Sequence, residues 1–129
     1  LPDELPLVTI DVALMVQALL NLLDNAVKYS PENSPIEIQG RLSQDEVILS
    51  VLDRGIGIPP TELPSIFDKF FRSSRSRGIG GTGLGLSISK GIVEAHSGRI
   101  WAENRPGGGS AIYLALPVGA APEGTAREW

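Results

Sequence analysis

Two asparagines and a lysine stand at helical spacing in a segment that is otherwise largely apolar. Asn21, Asn25 and Lys28 lie four and three residues apart, so they would share one face of an α-helix. Asparagine is a poor helix former because its side chain competes for backbone hydrogen bonds. Two asparagines on one stripe therefore favour a role for their amide groups, such as holding a divalent cation. A merely solvated face is the alternative, and it more often carries Glu–Lys pairs.

An aspartate at the end of a predicted strand is the second candidate. Asp53 follows an apolar run and is itself followed by Gly55 and Gly57. One interpretation is a turn-forming aspartate. The other is a carboxylate at the floor of a pocket, where it accepts a hydrogen bond from a ligand amino group while the glycines leave room for a flat ring.

A glycine-rich run leads into the last predicted helix at residues 80–87. Glycines let the backbone approach a ligand closely, and the free N–H groups at a helix start suit a phosphate. The run lacks the preceding strand of a dinucleotide-binding fold and the lysine of a P-loop. A cationic run precedes it, and this is either a solvated loop or a mobile clamp on an anion: Lys69, Arg72, Arg75 and Arg77. With Asp53 and the asparagines, the sum indicates adenine, a metal and phosphates.

Hydrophobic periodicity predicts the elements that position these groups. Asp11 is the expected N-cap of a helix running to about Lys28, with Met15, Leu19, Leu22, Leu23, Ala26 and Val27 on its core side. Strands are expected at 36–39, 46–52, 99–103 and 110–116, with a short helix within 61–71 and a longer one over 83–95. The predicted fold class is an α/β (α+β) two-layer sandwich. Its mixed, mostly antiparallel sheet would be covered on one face by about three helices, and the long 53–83 loop would supply a flexible lid.

Composition limits the range of functions. The chain has 129 residues, no cysteine and a net charge of −4, which fits one domain and argues against nucleic-acid binding. Its sequence contains no apolar run of the roughly 18 residues that a membrane span requires. We expect a single domain over residues 1–118 and a disordered tail over 119–129.

Four motifs carry a resemblance to a known family. Asn21-x-x-x-Asn25-Ala26-x-Lys28-Tyr29, Asp53-x-Gly55-x-Gly57-Ile58, Phe67-x-Lys69-Phe70-x-Arg72 and Gly81-Thr82-Gly83-Leu84-Gly85-Leu86 are similar, in order and spacing, to the N, G1, F and G2 boxes of bacterial sensor histidine kinases. The chain resembles their ATP-binding catalytic domain, whose fold is shared with gyrase, Hsp90 and MutL. Residues 66–72 and 91–109 are most similar to the potassium-responsive, Kdp-type kinases.

The resemblance implies a role for each matching position. Asn25 would coordinate Mg²⁺ with support from Asn21, and Lys28 would reach the phosphates. Tyr29 would lie against the adenine, and Asp53 would accept from its amino group in a pocket shaped by Gly55 and Gly57. Asn21, Asn25, Lys28 and Arg72 form the expected catalytic set.

The other implied contacts follow the same motifs. Gly81, Gly83 and Gly85 would wrap the triphosphate, and Thr82, Leu84 and Leu86 belong to the same binding segment. Lys69 and Arg72 are candidates for phosphate contacts, with Arg72 preferred, and Ser110 would supply a pocket hydroxyl.

Two absences narrow the implied function. The ATPases of this superfamily have the motif Glu-x-x-x-Asn, in which the glutamate is the base that activates water. This chain has Asn21 at the glutamate position, and an amide cannot take a proton from water. The chain's single histidine, His96, stands at a predicted helix exit, and we expect it to be structural. The acceptor histidine would therefore lie on a separate dimerisation domain.

The expected function is transfer of the γ-phosphate of Mg·ATP to that histidine, with a response regulator as an indirect partner. The setting would be the cytosolic C-terminal part of an inner-membrane sensor protein, and the Kdp-type resemblance implies potassium or osmotic signalling. The alternatives are an ATPase clamp of the gyrase, Hsp90 and MutL type, or a nucleotide-sensing module without catalysis.

Overall fold

The computed structural model describes residues 11–71 and 84–117. In chain order these residues form α1 (Val12–Tyr29), β1 (Glu37–Ser43), β2 (Glu46–Leu52), a 3₁₀ turn (Leu63–Ser65), α2 (Gly85–Ala95), β3 (Arg99–Asn104) and β4 (Ser110–Pro117). Residues 72–83 of the expected lid and the expected tail at 119–129 lie outside the described residues.

The four strands form one sheet in the order β1-β2-β4-β3. All three pairings are antiparallel, and the β2–β4 register places Leu52 opposite Ala111. The β1–β2 hairpin turns through Gln44, whose φ of 54° is the left-handed conformation that tight hairpin turns require. The register brings the end of β2 and the start of β4 side by side, so Asp53 and Ser110 meet at one end of the two central strands.

The first helix begins where its cap is predicted. The Asp11 side chain accepts a hydrogen bond from the Leu14 N–H at 3.1 Å, which satisfies one of the free donors of the first turn. The helix ends at Tyr29, since Ser30 is extended and Pro31 follows.

Both helices pack on one face of the sheet. The core they enclose is built around Leu22, Val93 and Leu114, each fully buried. The buried Ser89 hydroxyl of α2 donates to the Ala18 carbonyl of α1 at 3.0 Å, which ties the two helices together. The prediction was wrong for Val27, which is 62% exposed.

The predicted fold class is confirmed, with two differences of detail within the described residues. The short helix expected in 61–71 is a single 3₁₀ turn that contains Pro64, and Phe70 has a φ of 65°, so this stretch does not continue as an α-helix. The described part of the sheet is antiparallel throughout rather than mixed.

The single histidine links the ends of the two helices. His96 is the C-cap of α2, as its position at a helix exit predicts. Its Nε2 accepts from the Asp11 N–H at 2.9 Å, and its Nδ1 lies 2.8 Å from the Ile92 carbonyl. These partners fit the tautomer that carries its proton on Nδ1. His96 thus joins the start of α1 to the end of α2.

Candidate functional site

The centre of the site is a buried carboxylate at the end of β2. Asp53 is 4% exposed. Its Oδ1 accepts from the Gly55 N–H at 2.8 Å and from the Ser110 N–H at 3.2 Å, and its Oδ2 accepts from the Ser110 hydroxyl at 2.9 Å. A carboxylate has about four acceptor positions. Three donors therefore fix the group and leave Oδ2 able to accept one more hydrogen bond from a ligand.

The two glycines after Asp53 are required by close neighbours. A Cβ on Gly55 would lie 2.0 Å from the Tyr29 carbonyl oxygen at the end of α1. Gly57 has a φ of 77°, and a Cβ there would lie 3.0 Å from Oδ1 of Asn104. The sequence suggested that these glycines leave room for a flat ring, and the structure adds that protein atoms also demand them. The loop from Asp53 to Ile58, called the base loop below, lies between the end of α1 and the β3–β4 turn.

The polar stripe of α1 contains a donor that lacks a partner. Nδ2 of Asn21 is buried and makes no hydrogen bond in the described part of the chain. A Cβ on Gly85 would lie 3.9 Å from Cβ and Cγ of Asn21, so Asn21 stands beside the start of α2. Asn25 is half-buried on the same stripe. Because buried polar groups are normally satisfied, an unpartnered amide at this place fits a group that waits for a ligand.

Lys28 and Tyr29 occupy the end of α1. The Lys28 ammonium lies 3.1 Å from the Asp24 carboxylate, and the two side chains are 36% and 64% exposed. An exposed pair of this kind is weak, so it would release Lys28 to a phosphate at small cost. Tyr29 is half-buried and adjoins Gly55 through its carbonyl.

The start of α2 follows the glycine-rich run directly. Leu84 is the N-cap and has no side-chain capping bond, and Gly85 is the first helical residue. The first turn of a helix has unpaired N–H groups and the positive end of the dipole, which suit an anion. Leu86 packs against the core, so it anchors this turn rather than pointing freely into the site.

The remaining predicted residues divide into two groups. Lys69 is exposed, and its Nζ lies 5.2 Å from the centre of the Phe70 ring, which is itself 62% exposed. Arg72, Gly81, Thr82 and Gly83 lie outside the described residues. The structure therefore groups the other predicted residues in two regions. At the base loop lie Asp53, Gly55, Gly57, Ser110 and the end of α1 at Tyr29. Where α1 meets α2, Asn21 lies beside Gly85.

Sequence reasoning missed two residues at the back of the base loop. Asn104 is the last residue of β3 and Arg105 is the first residue of the β3–β4 turn. Both make hydrogen bonds to main-chain atoms of the base loop. Their position in a glycine-rich turn predicted only a connection between strands. No local pattern links them to a loop more than 40 residues earlier in the chain.

A divalent cation fits the residues at the α1 stripe in chemical type. Asn21 and Asn25 supply neutral amide oxygens, which are ligands that Mg²⁺ accepts together with phosphate oxygens and water. Among residues 11–71 and 84–117, no group of three or more His, Cys, Asp or Glu side chains is placed to hold a metal.

Comparison with known proteins agrees with this geometry. Residues 10–120 match the model of the family described as histidine kinase-, DNA gyrase B-, and HSP90-like ATPase. The chain belongs to this family, and it corresponds to the catalytic ATP-binding domain of sensor histidine kinases.

Individual relatives show the same relationship. The chain is 42% identical to the sensor protein KdpD of Escherichia coli over 95% of its own length and 14% of KdpD. It is 44% identical to the sensor histidine kinase WalK of Bacillus subtilis over 91% of its length and 20% of WalK. The crystal structure of full-length ShkA in complex with AMPPNP superposes with a TM-score of 0.75 at 29% identity, covering 88% of this chain and 23% of ShkA.

The chain thus spans only part of these relatives, with 14% of KdpD, 20% of WalK and 23% of ShkA. In the part that the structure describes, neither helix has both the length and the apolar character needed to cross a membrane.

Proposed function

We propose that this chain binds Mg·ATP and donates the γ-phosphoryl group to a histidine on a separate dimerisation domain of its parent sensor kinase. The observation that carries the proposal is the Asp53 carboxylate, which is buried, held by three donors and left with one free acceptor position. The proposed ATP-binding domain covers residues 1–118.

The base side of the proposed site has a definite polarity. A buried anionic acceptor at Oδ2 of Asp53 selects a ligand that presents a donor, and the exocyclic amino group of adenine is such a donor. Guanine presents a carbonyl oxygen at the equivalent ring position, which would face the carboxylate unfavourably. Tyr29, half-buried at the end of α1, supplies an aromatic wall against which a flat base would pack.

The phosphate side uses groups of the opposite character. The first turn of α2 has N–H groups that find no partner within the helix itself, and the unpartnered Nδ2 of Asn21 lies beside it. Lys28 would turn from Asp24 to the phosphates, and Lys69 and Arg72 would add positive charge. Magnesium, held by Asn25 with support from Asn21, would neutralise the charge that develops on the phosphates.

Transfer to an acceptor histidine is favoured over hydrolysis by the chemistry of residue 21. A water-activating base is needed for an ATPase clamp, and the Asn21 amide cannot act as one. Phosphoryl transfer to a protein nucleophile depends on positioning and charge stabilisation instead. A nucleotide-sensing module without catalysis is the second alternative, and it differs from a kinase only in the absence of transfer.

The test uses labelled Mg·ATP. The chain alone should bind nucleotide, release phosphate slowly and remain unlabelled. When the histidine-bearing segment of the parent protein is added, that segment should become labelled, and His96→Ala should not change the yield because His96 joins two helix ends. Rapid phosphate release by the isolated chain would favour the ATPase clamp. If the full-length parent protein, in which the two domains are covalently linked, binds ATP but its histidine is not labelled, the sensing module would be favoured.

The wider setting is also part of the proposal. A dimerisation domain would be the direct partner, a response regulator an indirect one, and the chain would lie on the cytosolic side of an inner-membrane sensor. Potassium or osmotic signalling is supported by the similarity to KdpD, although WalK is equally similar in this domain. A chimera that joins this domain to the sensory part of KdpD, assayed for potassium-dependent phosphorylation, tests functional interchange. Potassium-dependent labelling of the native parent tests the stimulus.

A further inference from the structure

The base loop is fastened along its back to the β3–β4 turn. The Asn104 carboxamide makes a two-point contact with one residue, since Oδ1 accepts from the Ile58 N–H at 2.7 Å and Nδ2 donates to the Ile58 carbonyl at 2.7 Å. Both main-chain polar groups of Ile58 are therefore satisfied by one side chain. A contact of this kind fixes the position and the tilt of the residue it holds.

The next residue holds the other end of the same loop. The Arg105 guanidinium donates through Nη1 to the Asp53 carbonyl at 2.9 Å. Its side chain is 13% exposed, and Nη2 lies 3.7 Å from the Glu37 carboxylate. Two consecutive side chains, Asn104 at the end of β3 and Arg105 at the start of the turn, thus hold the last and the first residue of the base loop.

Close packing reinforces these contacts. Gly109 has a φ of 95°, and a Cβ there would lie 2.1 Å from the Asp53 carbonyl oxygen, so the turn backbone lies directly against the loop. The turn is closed on itself by the Arg105 N–H, which donates to the Gly109 carbonyl at 2.9 Å. The loop cannot move outward without displacing this turn.

We infer that Asn104 is a positioning residue for base recognition, with Arg105 as its partner at the opposite end of the loop. This inference rests on the proposed function, because it names the part of the chain that holds the adenine pocket in shape. Asn104 acts through Ile58 and Gly57 and does not touch the base. Its loss would let the Gly57–Ile58 segment move relative to the Asp53 carboxylate, so the pocket would keep its chemistry and lose its fixed width.

The position of the contact makes the inference specific. The phosphate side of the site is built from α1 and α2, and neither helix takes part in the contacts between the base loop and the turn. A defect at Asn104 should therefore weaken ligands that contain a base and spare ligands that contain only phosphates. A general loss of stability would weaken both.

The variant Asn104→Leu removes both hydrogen bonds and keeps a side chain of similar size. Calorimetry at a temperature where the variant is folded should show Mg·ADP binding weakened about tenfold. Adenosine should lose affinity by the same factor, whereas inorganic pyrophosphate with Mg²⁺ should change by no more than about twofold. Discrimination between ADP and GDP should also fall, because the wall opposite Asp53 is no longer fixed.

Arg99→Ala is the matched control. Arg99 also makes a two-point contact, since its Nε and Nη2 donate to the Glu46 carboxylate at 3.2 and 2.8 Å. This contact lies at the end of the sheet opposite Asp53 and Ser110, so its removal should leave ADP affinity within about twofold of the wild type. If Asn104→Leu does not fold, Asn104→Ser removes the same two-point contact with a smaller, polar side chain.

The outcomes separate the inference from the function on which it rests. Wild-type protein that does not bind ADP would overturn the proposed function and this inference with it. Wild-type binding with unchanged ADP affinity in a folded Asn104 variant would overturn the inference alone. Equal losses of affinity for ADP and pyrophosphate, or an equal loss of ADP affinity in Arg99→Ala, would show a general structural role and would also overturn it.

Discussion

The base loop and the polar stripe of α1 belong to the same proposed site, but they differ in how far their buried polar groups are hydrogen-bonded within the protein. At the base loop, the Asp53 carboxylate is held by three donors, and both main-chain groups of Ile58 are satisfied by Asn104. On α1, by contrast, Nδ2 of Asn21 is buried without a partner in the described residues. The base loop is thus held in place by protein groups before a ligand arrives, whereas the α1 stripe keeps a buried donor that no described group satisfies.

This difference suggests a division of work between the two regions. A base is recognised by shape and by one or two hydrogen bonds, so a fixed pocket avoids the cost of ordering it on binding. Phosphates and their metal bring charge of their own, and groups that await them can be satisfied only by them. Preorganisation at the base and incompleteness at the phosphates are therefore both consistent with a nucleotide that must bind, react and leave.

The largest expected effect concerns the incomplete region. Asn25→Ala should reduce phosphoryl transfer to the acceptor segment at least about a thousandfold. The magnesium ion would lose a protein ligand, and the transition state would then lose the positive charge that the ion supplies. Adenosine affinity should stay near the wild-type value, since the base loop is untouched. Labelled transfer and adenosine calorimetry measure the two quantities. Full transfer activity in this variant would remove Asn25 from the catalytic set.

The fixed region is tested by Asp53→Asn. We expect ATP affinity to fall by roughly 10- to 150-fold, because a hydrogen bond to a charged acceptor is worth about 1.5–3 kcal/mol. Asparagine can still offer its amide oxygen, so the loss should lie toward the lower limit. Calorimetry on folded protein is the measurement. Unchanged affinity would mean that Asp53 serves the loop alone and that the base lies elsewhere.

Much of this arrangement could be predicted from the sequence because it has a local cause. The Asp11 cap and the proline after Ser30 set the bounds of α1. The four-residue spacing of Asn21 and Asn25 identifies its polar face. The β2–β4 register, which brings Ser110 to Asp53, was predicted only as far as the resemblance placed a hydroxyl near the pocket.

The rest depends on contacts between distant residues. Asn104 and Ile58 are 46 positions apart, and neither belongs to a periodic pattern that would link them. Val27 was misplaced because the apolar residues of α1 extend around more than half of the helix. Periodicity alone does not say which flank of such a wide sector meets the sheet.

Opposite effects on stability would sharpen the comparison between the two regions. Ser110→Ala removes a hydroxyl that donates to a buried carboxylate, so the free energy of unfolding should fall by about 1–2 kcal/mol. Asn21→Ala removes a buried donor without a partner and replaces a poor helix former with the best one, which should leave the free protein as stable or more stable by up to about 1 kcal/mol. Both variants should bind ATP more weakly.

Urea unfolding without nucleotide measures these differences. If Asn21→Ala were destabilised as much as Ser110→Ala, the Asn21 amide would have a structural partner in the free protein. The contrast between a fixed base loop and an incomplete α1 stripe would then be lost.

The smallest expected effect concerns Lys28, which has a partner in the free protein but a weak one. Its ammonium lies 3.1 Å from the Asp24 carboxylate, and the Asp24 side chain is 64% exposed. If nucleotide phosphates take Lys28, they must compete with Asp24, so Asp24→Ala should raise ATP affinity by about twofold, the equivalent of one exposed i,i+4 ion pair. The gain should shrink at high salt, because screening weakens such a pair, and it should vanish in a Lys28→Ala background. Adenosine affinity should not change in any of these proteins. If Asp24→Ala still raises ATP affinity when Lys28 is absent, the Asp24 carboxylate acts only by repelling the phosphates. Lys28 would then be a solvated side chain of α1 and would not bind the ligand.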